Sequence, residues 1–125
     1  KDTDLAKVFE IKEIYFDLNK SNIRPDAAVE LAKIVEVMKQ YPKMKIDIRS
    51  HTDSRATDAY NLALSDRRAK ATLEWIVKHG IHKDRITGKG YGETQLVNGC
   101  SNGVPCTEEQ HQANRRSEFI VVSME

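Results

Sequence analysis

No apolar run in this sequence of 125 residues approaches the ~18–20 residues that a membrane-spanning helix requires. An excess of one charge is also missing. The 20 Lys and Arg against 19 Asp and Glu leave a formal net charge of +1. Nucleic-acid binding usually shows as a basic excess on one face, and here the basic pairs Arg67-Arg68 and Arg115-Arg116 both sit among acidic residues. Charge therefore selects no polyanionic partner. The opening Lys1-Asp2-Thr3-Asp4 is polar and unlike a secretory signal, so the expectation is a mature protein or an excised domain. Cysteine is scarce: Cys100 and Cys106 stand close together in a segment rich in Gly, Asn, Ser and Pro. Two readings compete there. A small disulfide loop implies an oxidising compartment. A zinc site wants three or four ligands, and only His111 lies near in sequence. The disulfide is the expected reading, and no metal or other cofactor is expected.

What is present fits one ordinary domain, with 39% hydrophobic and 31% charged residues. Residues 8–18 are rich in β-branched and aromatic types and predict a strand, followed by a turn over Asn19-Lys20-Ser21-Asn22. Pro25 suits a first helical position and Asp26 a first turn. Ala27/Ala28, Leu31, Ile34/Val35, Met38 and Tyr41 recur at helical spacing, and Pro42 ends that helix. Met44, Ile46 and Ile48 alternate with Lys45, Asp47 and Arg49, the pattern of a strand with one buried face. A long helix is expected from about Asp58 to His79, with Leu62, Ala69, Leu73 and Ile76/Val77 as its buried stripe and Gly80 at its end. Arg85 to Tyr91 predicts a third strand, Gly92 to about Gln112 a loop, and Ser117 to Met124 a final strand. The order β-α-β-α-β-β implies an α/β (α+β) sandwich, with helices on one face of a mixed sheet.

Chemistry is expected where a strand feeds a loop and then a helix. That place carries Thr52, Asp53, Asn61, Ser65 and Arg68. A carboxylate and a guanidinium held apart in a cleft suit a zwitterionic ligand: the carboxylate takes an ammonium, and the guanidinium takes a carboxylate by paired hydrogen bonds. From spacing alone, ion pairing of Asp53 and Arg68 with each other or with neighbours is the commoner outcome. Ser65, His51 and Asp53 also supply the residue types of a hydrolytic triad, but Ser65 belongs to a helix interior and no nucleophile-elbow pattern surrounds it. Asp17 and Asp53 are considered as a glycosidase pair, which a neighbouring Arg68 argues against. His51 reads as a strand-end hydrogen-bonding residue, His79 as a helix-terminal one, and Trp75 as core.

Ser50-His51-Thr52-Asp53 followed by Tyr60-Asn61-Leu62-Ala63-Leu64-Ser65-Asp66-Arg67-Arg68-Ala69 resembles the central motif of the OmpA C-terminal-like family, roughly G-H-T-D, a short loop, then Y-N-x-x-L-S-x-x-R-A. Tyr15-Phe16-Asp17-Leu18-Asn19-Lys20-Ser21, Gly88-Lys89-Gly90-Tyr91-Gly92-Glu93 and Asn114-Arg115-Arg116-Ser117-Glu118 resemble further segments of that family, in its order and over nearly the whole chain. The resemblance implies a non-enzymatic, periplasmic, outer-membrane-associated domain, tethered through a parent protein. It would bind the meso-diaminopimelate of peptidoglycan stem peptides without forming a covalent bond. It implies that Asp53 and Arg68 hold the ligand's charged end, with Asp17, Asn19, Thr52, Asn61, Leu64 and Arg116 around the same pocket. Arg116 is equally readable as a partner of Glu118 or Asp17. On this reading Asp53→Ala and Arg68→Ala each abolish binding and leave the fold intact. The alternative is a protein-interaction or homodimerisation module of an envelope complex. Two departures bear on geometry: Ser50 and Ala56 stand where the family usually has glycine, and glycine often marks a backbone angle other residues avoid.

Overall fold

A computed structural model describes residues 3–4 and 12–124. Within them the order is β1 (Thr3–Asp4), β2 (Ile14–Tyr15), α1 (Pro25–Gln40), β3 (Lys45–Ser50), α2 (Asp58–Lys78), a 3-10 turn (Lys83–Arg85), β4 (Ile86–Gly90), α3 (Glu108–Gln112) and β5 (Arg116–Ser123). The sheet is mixed. β3 lies at its centre, parallel to β4 and antiparallel to β5, and both β1 and β2 pair with the far edge of β5. The first strand expected over 8–18 is met only in part. Among the described residues only Ile14–Tyr15 keep strand pairing, and residues 8–11 of that expectation lie outside the described residues.

Local chemistry accounts for the helices. Pro25 occupies the first turn of α1, and Tyr41, just ahead of Pro42, is its C-terminal cap. Thr57 caps α2, its hydroxyl accepting from the Tyr60 amide at 3.1 Å. Gly80 follows α2 at φ +106°. Leu31, Ile34 and Met38 of α1 meet Ile46 and Ile48 of β3, Ile76 of α2, and Phe119 and Val121 of β5 in one core. Each such side chain contributes roughly 1.5–3 kcal/mol through burial. Trp75 packs at the edge of that core and stacks on His79.

The buried stripe of α2 differs from its expected one. Leu62 is 49% exposed, and the face turned inward carries Asn61, Leu64, Ser65, Arg68, Ala69, Thr72 and Ile76. The N-terminal half of the helix thus buries polar groups, because it packs against strand ends. A Cβ on Gly90 would lie 2.3 Å from the Asp66 amide and from Ser65 Oγ, so only glycine lets α2 approach β4 this closely. The gap is closed by hydrogen bonds, from the Gly90 amide to Asp66 Oδ1 (2.9 Å) and from the Gly92 amide to Ser65 Oγ (2.8 Å). This contact sets where Asn61, Leu64 and Arg68 stand relative to the C-terminal end of β3.

Candidate ligand cleft

β3 ends at Ser50, and the next three residues leave the sheet at full burial. The Thr52 amide donates to Gly92 O at 2.9 Å, and Thr52 and Asp53 are 2% and 3% exposed. Leu18, Asn19, Thr52, Asp53, Arg55, Asn61, Leu64, Arg68 and Arg115 line one cleft, which is closed to a water-sized sphere. Of the expected residues, Asp53, Arg68, Asn19, Thr52, Asn61 and Leu64 are brought together. Asp17 contributes its backbone: its carbonyl accepts from Arg68, while its carboxylate lies 3.6 Å from Arg24 Nη1. Arg116 does not line the cleft. Its Nη2 donates to Gln95 O at 2.9 Å and meets Glu118 at 3.4 Å.

Arg68 is wholly buried. Its Nε donates to Lys20 O (2.8 Å), Nη1 to His51 O (3.0 Å) and Nη2 to Asp17 O (2.9 Å). These bonds use three of a guanidinium's five N–H groups and tie the first turn to the end of β3. The Phe16 ring lies under the guanidinium at 5.0 Å. Burial, and then repulsion from Arg115, push Arg68 down to about 10, so it remains a cation at neutral pH.

Asp53 is held on both oxygens. Oδ1 accepts from the Arg55 amide (3.0 Å), and Oδ2 accepts from Arg55 Nη2 (2.9 Å) and Arg115 Nη1 (3.1 Å). Burial pushes its pKa up, but the Arg55 side-chain and backbone hydrogen bonds, with that of Arg115, leave it below the usual carboxylate value. The same two arginines also meet Glu108, Arg55 at 3.1 Å and Arg115 at 2.7 Å, and Arg115, ahead of Arg55, lowers the Glu108 pKa in turn. Asn61 Nδ2 donates to Glu93 Oε1 at 2.7 Å. The Thr52 hydroxyl lines the cleft, buried and without a hydrogen-bond partner among the described residues.

Arg55, Arg115, Leu18 and Glu108 were missed from sequence. Arg55 carried a signal, as a cation two residues beyond Asp53. Arg115 sat in the segment already singled out, but neighbouring residues of an extended chain face opposite ways. Choosing between Arg115 and Arg116 needed the pairing of β5.

The triad types do not assemble. His51 Nε2 meets Glu118 Oε1 at 3.0 Å, Ser65 Oγ donates to Leu62 O at 2.8 Å, and Asp53 is bound by arginines. Burial keeps His51 below its ordinary value, and the His51 hydrogen bond, with Arg116, holds Glu118 down to about 2. The pair is neutral imidazole donating to carboxylate. Cys100 and Cys106 form a disulfide. Among the described residues no group of His, Cys, Asp and Glu is arranged to hold a metal.

The two replaced glycines differ. Ser50 sits in extended β3, and its hydroxyl pairs with that of Ser117 at 2.6 Å. Ala56 holds φ +98°, a region costly to any residue with a Cβ.

Comparison with known proteins agrees with this layout. The model of the OmpA family matches residues 15–115. The chain is 36% identical over 94% of its length to outer membrane porin F of Pseudomonas fluorescens, of which it spans 35%. It is 40% identical over 70% of its length to a peptidoglycan-associated lipoprotein of Brucella melitensis, of which it spans 52%. It is 39% identical over 88% of its length to the photosystem I P700 chlorophyll a apoprotein A2 of Gloeobacter violaceus, of which it spans 13%. The chain thus spans about half or less of each of these relatives. Among solved structures, the peptidoglycan-associated lipoprotein of Burkholderia pseudomallei shares the fold at a TM-score of 0.79, with 24% identity, covering 88% of this chain and 89% of that one. The names of the porin and of the lipoproteins agree with the periplasmic, outer-membrane-associated compartment expected from the sequence. The chain belongs to the OmpA family.

Proposed function

We propose that the cleft at the end of β3 binds the meso-diaminopimelate side chain of a peptidoglycan stem peptide non-covalently, and that this single domain anchors a larger envelope protein to the cell wall. The observation that carries the reading is the Thr52 hydroxyl, buried and unpartnered on a cleft that also presents Asp53 and Arg68. A buried polar group without a partner costs about 1–3 kcal/mol, and a polar ligand recovers that cost. Diaminopimelate carries an ammonium and a carboxylate on one carbon, the charge pair that Asp53 and the surrounding guanidinium groups complement. Leu64, Leu18 and the Asn19 turn take its methylene chain. Charge-assisted hydrogen bonds contribute roughly 1.5–3 kcal/mol each, less the entropy of association. One domain therefore binds modestly, and many copies on one wall polymer bind firmly.

The reading is non-catalytic, since Ser65, His51 and Asp53 are each bound to other partners. Incubation with insoluble peptidoglycan tests both parts. The domain co-sediments with the wall, Asp53→Ala does not, and no soluble fragments appear. Equal sedimentation of Asp53→Ala would remove that residue from the site, and fragment release would replace an anchor with an enzyme.

A further inference from the structure

Asp53 already has a cation beside it. A carboxylate offers about four lone-pair sites, and Arg55 takes two of those on Asp53 while Arg115 takes a third. The cleft is closed to a water-sized sphere, so a ligand ammonium reaches Asp53 only if a side chain leaves. Arg68 is fixed by three carbonyls. The Arg115 side chain is 3% exposed and also bound to Phe16 O at 2.8 Å. Arg55 differs from both: its side chain is 37% exposed, and its second anchor is the carboxylate of Glu108, itself 57% exposed.

We propose that Arg55 is an internal stand-in for the ligand's cation, displaced from Asp53 on binding and retained by Glu108, so that it sets the affinity and selectivity of the cleft for a cationic group. This rests on the zwitterion reading of the cleft. It also gives the disulfide loop a part. Cys106 leads directly into Thr107, whose hydroxyl and backbone form a capping box with Gln110, and Glu108 is the first residue of that helix. At the other end of the loop, the Cys100 carbonyl accepts from the hydroxyl of Ser54, the neighbour of Asp53. The loop is thereby fastened to the Asp53 turn on one side and presents Glu108 on the other. Arg55 and Glu108 act as positioning and specificity residues.

Calorimetric titration of the folded domain with a diaminopimelate stem peptide, and with the same peptide acetylated on its side-chain amine, tests the proposal. Removing a partly buried ion pair that competes with the ligand raises affinity by about fivefold, so Arg55→Met binds the free-amine peptide about that much tighter. It gains nothing for the acetylated one. Arg55→Lys, which keeps a cation, stays close to wild type. Glu108→Gln weakens binding in the wild-type background and not in Arg55→Met. Arg55→Gln serves as the second variant if the methionine variant does not fold. Equal or weaker binding of the free-amine peptide by folded Arg55→Met or Arg55→Gln overturns the proposal, and equal loss from Glu108→Gln in both backgrounds overturns the role of Glu108. A wild type that binds neither peptide overturns the functional reading beneath it, a result distinguishable from either of these.

Discussion

Arg68 and Arg55 line the same cleft, yet Arg68 is fully buried and its side chain donates only to backbone carbonyls, whereas the Arg55 side chain is about a third exposed and donates only to carboxylates. Backbone carbonyls belong to the scaffold and cannot leave. The Glu108 carboxylate, at a helix start and 57% exposed, can exchange partners at small cost, because exposed ion pairs contribute only ~0–1 kcal/mol. One wall of the cleft is therefore fixed by the backbone, and the other is held side chain to side chain. The difference teaches that a cation in a cleft need not be a ligand contact in the resting state. What it donates to indicates whether it holds the fold or holds a place.

The largest test of that contrast is Arg68→Ala. The sequence alone suggested that this change spares the fold, but the structure alters the expectation. It removes three charge-assisted hydrogen bonds that join residues 17 and 20 to residue 51, so we expect a loss of about 3 kcal/mol or more, measured by urea denaturation. A loss under about 1 kcal/mol would place Arg68 with Arg55 on the exchangeable wall. Gly90→Ala attacks the platform instead. Its new methyl would meet the backbone of α2, and overpacking of this kind costs about 1–3 kcal/mol. The same melts check it, and an unchanged midpoint would mean that α2 can shift without consequence.

Proton linkage sharpens the comparison from behind the cleft. His51, whose carbonyl receives Arg68, is buried neutral with its pKa below the ordinary 6.5, so the unfolded chain binds the proton more readily. Its contribution to stability is present above about pH 6.5 and declines as pH falls below it. Glu118, lowered from 4.5 to about 2, contributes above pH 4.5 and loses that contribution between 4.5 and about 2. Denaturation midpoints should therefore fall in two stages on acidification, and His51→Gln should remove the first. A flat profile from pH 7 to 4 would contradict the buried neutral imidazole. The smallest effect is expected on the movable wall. Ala56→Gly relieves φ +98° and stabilises by about 1 kcal/mol once the extra chain entropy of glycine is deducted. Thermal melting reads this, and destabilisation would show that the turn tolerates the alanine freely.

Much of the scaffold was legible because single residues enforce it. Pro25 and Pro42 bracket α1, Gly80 follows α2, and the alternation of Ile46 and Ile48 describes β3. The disulfide was legible from the scarcity of cysteine. Asp53, Arg68 and their cleft neighbours were legible through the motif resemblance. Leu62 misled because helical periodicity assumes an apolar stripe, while the start of α2 packs polar residues against strand ends. The early strand was overextended because β-branched composition records compatibility with a sheet, not the presence of a pairing partner. The exchange of Arg116 for Arg115, and the place of Glu108, depend on long-range pairing that local pattern does not carry.

The proposed anchor requires that the cleft read both charges of diaminopimelate. Calorimetric titration with a diaminopimelate muropeptide, beside a lysine muropeptide that lacks the distal carboxylate, tests it directly. Saturable binding of the first and none of the second is the predicted result. Equal binding of both, or no heat with either from a folded domain, would contradict it.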